Sequence, residues 1–128
     1  MQSYNADTYT VLAKVSANFD LADLEGSRPT AEDLVAATQE IIMENHDSKI
    51  SDMLSKLSFT PFDSFESRQN PNIVTITSRF DFSTHGSYTG WKKAIEFVLD
   101  KLLLKFNIQS ATFFLEDKPV VIRQGRRY

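Results

Sequence analysis

Apolar and polar residues alternate near the start of this chain, and the alternation restricts the fold more than any other feature. From Tyr9 to Leu21 every odd-numbered residue is apolar or aromatic, and the even-numbered residues are polar except for Leu12. Successive side chains of a β-strand point to opposite faces, so this period of two predicts a strand with one buried and one solvent-exposed face. Such a strand is typical of an antiparallel sheet that is covered on one side only.

A helical region follows this strand after the turn residues around Gly26. Thr30 and Asp33 have the spacing of a capping box, and the apolar residues that follow recur with the period of an amphipathic helix. Residues 45–48 interrupt this apolar pattern. We therefore predict either one kinked helix or two helices in succession, ending before Pro61.

The middle of the chain predicts a β-hairpin. The segment from Phe62 to Arg68 alternates in polarity, and residues 69–72 supply turn chemistry before a second alternating run. One parity of that second run is apolar and is expected to face the core. Its members are Val74, Ile76, Phe80 and Phe82.

The strongest helical pattern begins near Ser87 or Thr89 and is expected to end near Asn107. Two apolar runs follow it, Ala111 to Leu115 and Val120 to Arg123, and they predict a second hairpin or one strand with a bent extension. In the first of these runs, either Phe113 or Phe114 must face outward. The apolar stripe of the helix contains Trp91, Ala94, Ile95, Val98, Leu99, Leu102 and Phe106.

The predicted order of elements is strand, helix, strand, strand, helix, strand, with an extra C-terminal strand in one interpretation. This βαββαβ order resembles the ferredoxin-like α+β sandwich, in which two helices cover one face of an antiparallel sheet. A chain of 128 residues has the length of one domain. We expect a single domain over 1–128, with flexible ends at 1–7 and 124–128.

Composition excludes several classes of site. The chain has no cysteine, which excludes a disulfide framework, a zinc ribbon, an iron–sulfur site and a cysteine nucleophile. Because it has only two histidines, a typical transition-metal site is not expected, although composition leaves an all-oxygen magnesium or calcium site open. We assign no metal ligand and expect no cofactor. The N-terminus carries no basic or apolar targeting segment, and no apolar run is long enough to span a membrane, so we expect a cytoplasmic protein.

Both histidines occur in a His-x-Ser pattern, as His46 with Ser48 and His85 with Ser87. Paired motifs of this kind resemble those of two-histidine phosphoesterases, in which one imidazole acts as base and the other as acid. This resemblance implies phosphoester cleavage as an alternative function. The structural alternative is that the two serines cap helices.

Charge is divided unevenly along the chain. Residues 1–67 carry four basic and twelve acidic groups, whereas residues 68–128 carry ten basic and five acidic groups. Nucleic-acid or anion binding by the basic half is therefore another alternative. An aromatic RNA-binding sheet face is not predicted, because Phe80 and Phe82 are expected to face the core. The basic candidates are Lys92, Lys93, Arg123, Arg126 and Arg127.

The second long helix carries an additional apolar pair. In a helical projection, Phe97 and Leu104 lie together between Lys93 and Lys101, on the side away from the apolar stripe. A bulky apolar pair at this spacing is typical of a protein contact. Because no catalytic cluster is evident, we favour a small non-enzymatic interaction or regulatory module, self-associating or binding another protein. Phage and mobile-element accessory proteins are of this kind.

Overall fold

The computed structural model describes residues 12–47, 49–81, 88–115 and 118–124. These residues form a mixed α+β fold with five strands and four helices. The elements in chain order are β1 (Leu12–Asp20), α1 (Ala31–Glu44), α2 (Ser51–Leu54), β2 (Phe59–Phe62), α3 (Phe65–Gln69), β3 (Ile73–Asp81), α4 (Tyr88–Phe106), β4 (Ser110–Leu115) and β5 (Lys118–Arg123).

The five strands form one antiparallel sheet in the order β2-β3-β1-β4-β5. In the register of the central strands, Ala17 of β1 lies opposite Ile76 of β3 and Phe113 of β4. The predicted C-terminal hairpin is confirmed, because β4 pairs with β5 along its whole length. The sheet therefore has β2 at one edge and β5 at the other.

One face of the sheet packs against α1 and α4, which also contact each other. The odd-numbered side chains of β1 from Ala13 to Phe19 are buried in this core, whereas Lys14 and Asp20 on the opposite parity are exposed. The strand predicted from alternation is thus confirmed within the described residues. Trp91 of α4 is fully buried, with its ring centroid 4.4 Å from that of Phe80.

Side-chain hydrogen bonds define both ends of α1. The Thr30 hydroxyl accepts from the Asp33 backbone N–H at 3.1 Å, and the Asp33 carboxylate accepts from the Thr30 N–H at 2.9 Å. This is the predicted capping box. At the other end, the Asn45 amide donates to the Ile41 carbonyl at 2.7 Å. A separate short helix, α2, follows, so of the two predicted alternatives the structure has two helices in succession.

The C-terminus of α4 is joined to the end of β5. Asn107 follows the helix with a φ of 58°, and the side-chain amide of Gln124 donates to the Ile108 carbonyl at 2.9 Å. The backbone N–H of Gln124 donates to the Gln109 carbonyl at 2.8 Å. The predicted helix end near Asn107 is confirmed.

The predicted strand from Phe62 to Arg68 is wrong. The strand β2 ends at Phe62, and the following residues form the short helix α3. Ser64 caps that helix, because its hydroxyl accepts from the Ser67 backbone N–H at 3.0 Å. Local capping thus prevails over the alternation of polarity. The predicted core position Phe82 and the predicted flexible ends lie outside the described residues, except for Gln124.

Candidate functional site

The face of the sheet opposite α1 and α4 carries a groove beneath α3. Its floor consists of side chains from three adjacent strands, including Ser16 and Asn18 of β1, Thr75 of β3 and Thr112 of β4. These residues have the opposite parity to the side chains that the same strands contribute to the hydrophobic core. The groove is therefore lined mainly by polar groups at its base.

The groove has two lobes, of about 420 and 440 Å³, which share part of their lining. We call the whole the open-face groove, and the shared residues are Asn18, Phe65, Glu66 and Phe114. The first lobe also includes Lys14 and is called the Lys14 lobe. The second includes Asp20 and is called the Asp20 lobe. Cavities of this size accommodate metabolite-sized ligands.

Three phenylalanines surround the open-face groove. Phe62 at the end of β2 is 40% exposed and Phe65 at the start of α3 is 66% exposed, whereas Phe114 of β4 is half-buried. The Lys14 ammonium lies 4.7 Å from the centroid of the Phe62 ring. Phe80 is buried in the core, as expected, whereas the sequence did not indicate the rings of Phe62 and Phe65 at this face. Phe113 is buried and Phe114 faces outward, as strand geometry required.

A chain of hydrogen bonds connects α3 to the floor of the groove. The Ser64 and Thr75 hydroxyl oxygens lie 2.6 Å apart, and the Thr75 hydroxyl donates to the side-chain carbonyl of Asn18 at 2.6 Å. Ser64 and Thr75 are 4% and 1% exposed, so the hydrogen bond between them is shielded from water. These hydrogen bonds hold the Asn18 amide in one orientation in the floor of both lobes.

The open-face groove contains charged groups of both signs. Lys14 contributes an ammonium group to one lobe, Asp20 contributes a carboxylate to the other, and the Glu66 carboxylate borders both. Such a groove can bind a dipolar ligand. Within the described part of the chain, no group of three histidine, aspartate or glutamate side chains is arranged to hold a metal ion.

The predicted histidine site falls largely outside the described residues. His46 is exposed beyond the end of α1, where its Nδ1 lies 2.9 Å from the Met43 carbonyl. Ser48, His85 and Ser87 are not among the described residues. Phosphoester cleavage through these groups therefore stays a prediction.

The predicted basic residues lie at separate places. Lys92 is on α4, where its ammonium nitrogen lies 3.8 Å from a carboxylate oxygen of Glu96. Arg123 is exposed at the end of β5. Arg126 and Arg127 lie outside the described residues. Nucleic-acid binding through this group stays a prediction, and it requires an affinity that falls steeply with salt.

The two residues of the predicted apolar pair on α4 differ in exposure. Leu104 is 58% exposed, whereas Phe97 is half-buried and packs against the core. Lys93 and Lys101 are exposed, and the Lys101 ammonium lies 5.4 Å from the centroid of the Phe97 ring.

Among the described helices, none is long and apolar enough to cross a membrane.

Comparison with known proteins gives one structural relationship. No protein-family model matches the chain, and a search of curated proteins finds no match. Among solved structures, a phage SAM lyase in its apo state is similar, with a TM-score of 0.58 and 12% sequence identity over 91% of this chain and 92% of that chain. At this identity the similarity establishes a shared fold.

Proposed function

We propose that this protein binds S-adenosylmethionine (SAM) in the open-face groove. The observation that carries the proposal is the meeting of two lobes at Phe65 and Phe114, with charged groups of both signs beside them. The phage SAM lyase, which has the same fold, supports SAM as the first ligand to test. The proposal replaces the non-enzymatic interaction module as the leading hypothesis.

The chemistry of SAM suits the lining of the groove. Its adenine ring presents a π-face that stacks on aromatic side chains such as Phe65 and Phe114. Its sulfonium cation is attracted by the Glu66 carboxylate, and the carboxylate of its amino-acid end is attracted by the Lys14 ammonium. A ligand without a positive sulfur gains only part of this attraction.

Calorimetric titration with SAM tests the proposal, with S-adenosylhomocysteine as the uncharged thioether comparison. We expect saturable binding of both compounds and tighter binding of SAM. Replacing Glu66 by glutamine is expected to weaken SAM binding about twofold to fivefold, because the carboxylate is exposed and its attraction is reduced by solvent. The affinity for S-adenosylhomocysteine should stay nearly constant in that variant.

The matched control is Glu25→Gln, which removes the same charge from an exposed loop position outside the groove. It should leave both affinities unchanged. Absence of any heat of binding with either compound would refute the proposal. Mass spectrometry of the titrated sample then distinguishes the two forms of the proposed function, because intact SAM indicates a binding protein, whereas cleavage of SAM faster than in a protein-free control indicates an enzyme.

Self-association through α4 is a second candidate function, and the exposure of Leu104 favours it. Leu104→Lys is expected to reduce an oligomer to the 14.6 kDa monomer in native mass spectrometry, because a charged side chain is costly to bury in an apolar contact. Phe97→Lys is a poorer test, since Phe97 packs against the core. Met43→Lys, at a position that is 72% exposed on α1, is the control. An unchanged mass in Leu104→Lys would remove this surface from consideration.

We propose further that the core of this fold is ferredoxin-like. The order β2-β3-β1-β4, with α1 after β1 and α4 after β3, supports this assignment. In this interpretation β5 is an additional edge strand, and α2 and α3 are insertions around β2.

A further inference from the structure

We infer that Asn18 determines which edge of the ligand is recognised in the open-face groove, and that Ser64 and Thr75 are positioning residues that hold its amide. The inference rests on the proposed function, because it concerns the adenine ring of the same ligand. It assigns to the Asn18 NH2 group a hydrogen bond to a ring nitrogen of that adenine.

With the carbonyl oxygen of Asn18 toward Thr75, each of these hydrogen bonds has one direction. The backbone N–H of Ser67 can only donate, so the Ser64 oxygen accepts from it. The single proton of Thr75 goes to the Asn18 carbonyl oxygen, and Ser64 must therefore donate its own proton to Thr75. The Asn18 amide then has its oxygen toward Thr75 and its NH2 group left for the groove.

The reverse orientation of Asn18 is unfavourable. With the NH2 group toward Thr75, the amide would donate to the Thr75 oxygen, and the Ser64 and Thr75 hydroxyl protons would share one contact between them. One of these two protons would then lack an acceptor, at sites that are only 4% and 1% exposed. A buried donor without a partner is costly, so the chain of hydrogen bonds selects one orientation.

The NH2 group selects a ligand atom that accepts a hydrogen bond. Among the described residues, no side chain or carbonyl accepts from it. Asn18 lines both lobes together with Phe65 and Phe114, so a ring stacked on either phenylalanine has its edge near this amide. The ring nitrogens of adenine are acceptors of the required kind, whereas a C–H at the same position accepts nothing.

Titration with adenosine and with its 1-deaza, 3-deaza and 7-deaza analogues tests this inference. The analogue that lacks the ring nitrogen bound by Asn18 is expected to bind about threefold to tenfold more weakly than adenosine. This is the effect of one neutral hydrogen bond. Thr75→Val should reduce the ratio of the adenosine affinity to the affinity for that analogue toward one, because it removes the hydroxyl and keeps the shape of the side chain. Thr75→Ser should restore the ratio.

Two further variants separate positioning from general damage to the sheet. Thr77→Val removes a hydroxyl from the same strand and face, outside the groove lining, and should leave the ratio unchanged. Asn18→Asp replaces the donor with an acceptor, so it should weaken the binding of adenosine more than the binding of the sensitive deaza analogue. The order of the two affinities should then be reversed. This second variant keeps the inference testable if Thr75→Val does not fold.

The outcomes distinguish the inference from the proposed function. Equal affinities for adenosine and all three analogues in the unmodified protein would overturn the role of Asn18 and leave binding in the groove intact. An unchanged ratio in Thr75→Val would overturn the positioning role. No binding of adenosine or of SAM would overturn both the inference and the proposed function.

Discussion

Replacing both Phe65 and Phe114 with alanine is expected to weaken SAM binding by at least about thirtyfold. Stacking of a base on an aromatic side chain contributes about 1–3 kcal/mol per ring, and each 1.4 kcal/mol corresponds to about tenfold in affinity. Both rings line both lobes of the groove, so a single substitution would leave one ring for stacking and the double substitution removes both. Calorimetric titration of the double variant measures the loss.

The folded state should tolerate this double change. Phe65 is 66% exposed, and neither phenylalanine belongs to the buried core. Circular dichroism should therefore show a retained fold. Phe62→Ala, which changes the Lys14 lobe and leaves the Asp20 lobe intact, should have a smaller effect on binding. Met43→Ala, on the surface of α1, should have none. Undiminished affinity in the folded double variant would contradict the assignment of SAM to the open-face groove.

Trp91→Ala is expected to lower the free energy of unfolding by about 3–5 kcal/mol. Trp91 is fully buried and its ring centroid lies 4.4 Å from that of Phe80, so the substitution removes a large apolar side chain and leaves a cavity between α4 and β3. A small domain has about 5–15 kcal/mol of stability, so much of it would be lost. Urea unfolding monitored by circular dichroism gives the difference.

Trp91→Phe is the matched comparison, because it keeps an aromatic ring against Phe80 and leaves a smaller cavity. We expect it to cost less than half as much as the alanine variant. If Trp91→Ala lowered the free energy of unfolding by less than 1 kcal/mol, the packing of α4 on the sheet would need revision.

Elements that depend on neighbouring residues could be predicted from the sequence. The alternation in β1, the capping box at Thr30 and the apolar stripe of α4 each involve residues within a few positions of one another. Their geometry is set by the repeat of the backbone and by short hydrogen bonds. For this reason the one-sided sheet and the helices that cover it were foreseeable.

The candidate site depends on residues that are far apart in the chain. Its phenylalanines come from β2, α3 and β4, and Thr75 joins Asn18 across 57 positions. The sequence placed one phenylalanine of the pair Phe113 and Phe114 on the outer face, but it did not indicate the rings at Phe62 and Phe65. A search for aromatic residues beside a capping serine would have brought out Phe65.

The sequence by itself determined the parity of β1, the capped start of α1 and the apolar face of α4, because these follow from local periodicity and local hydrogen bonding. Only the tertiary structure decided that α3, whose start is capped locally by Ser64, lies over the open face of the sheet. The physical reason is the hydrogen bond between Ser64 and Thr75, which forms only once β2 and β3 are paired.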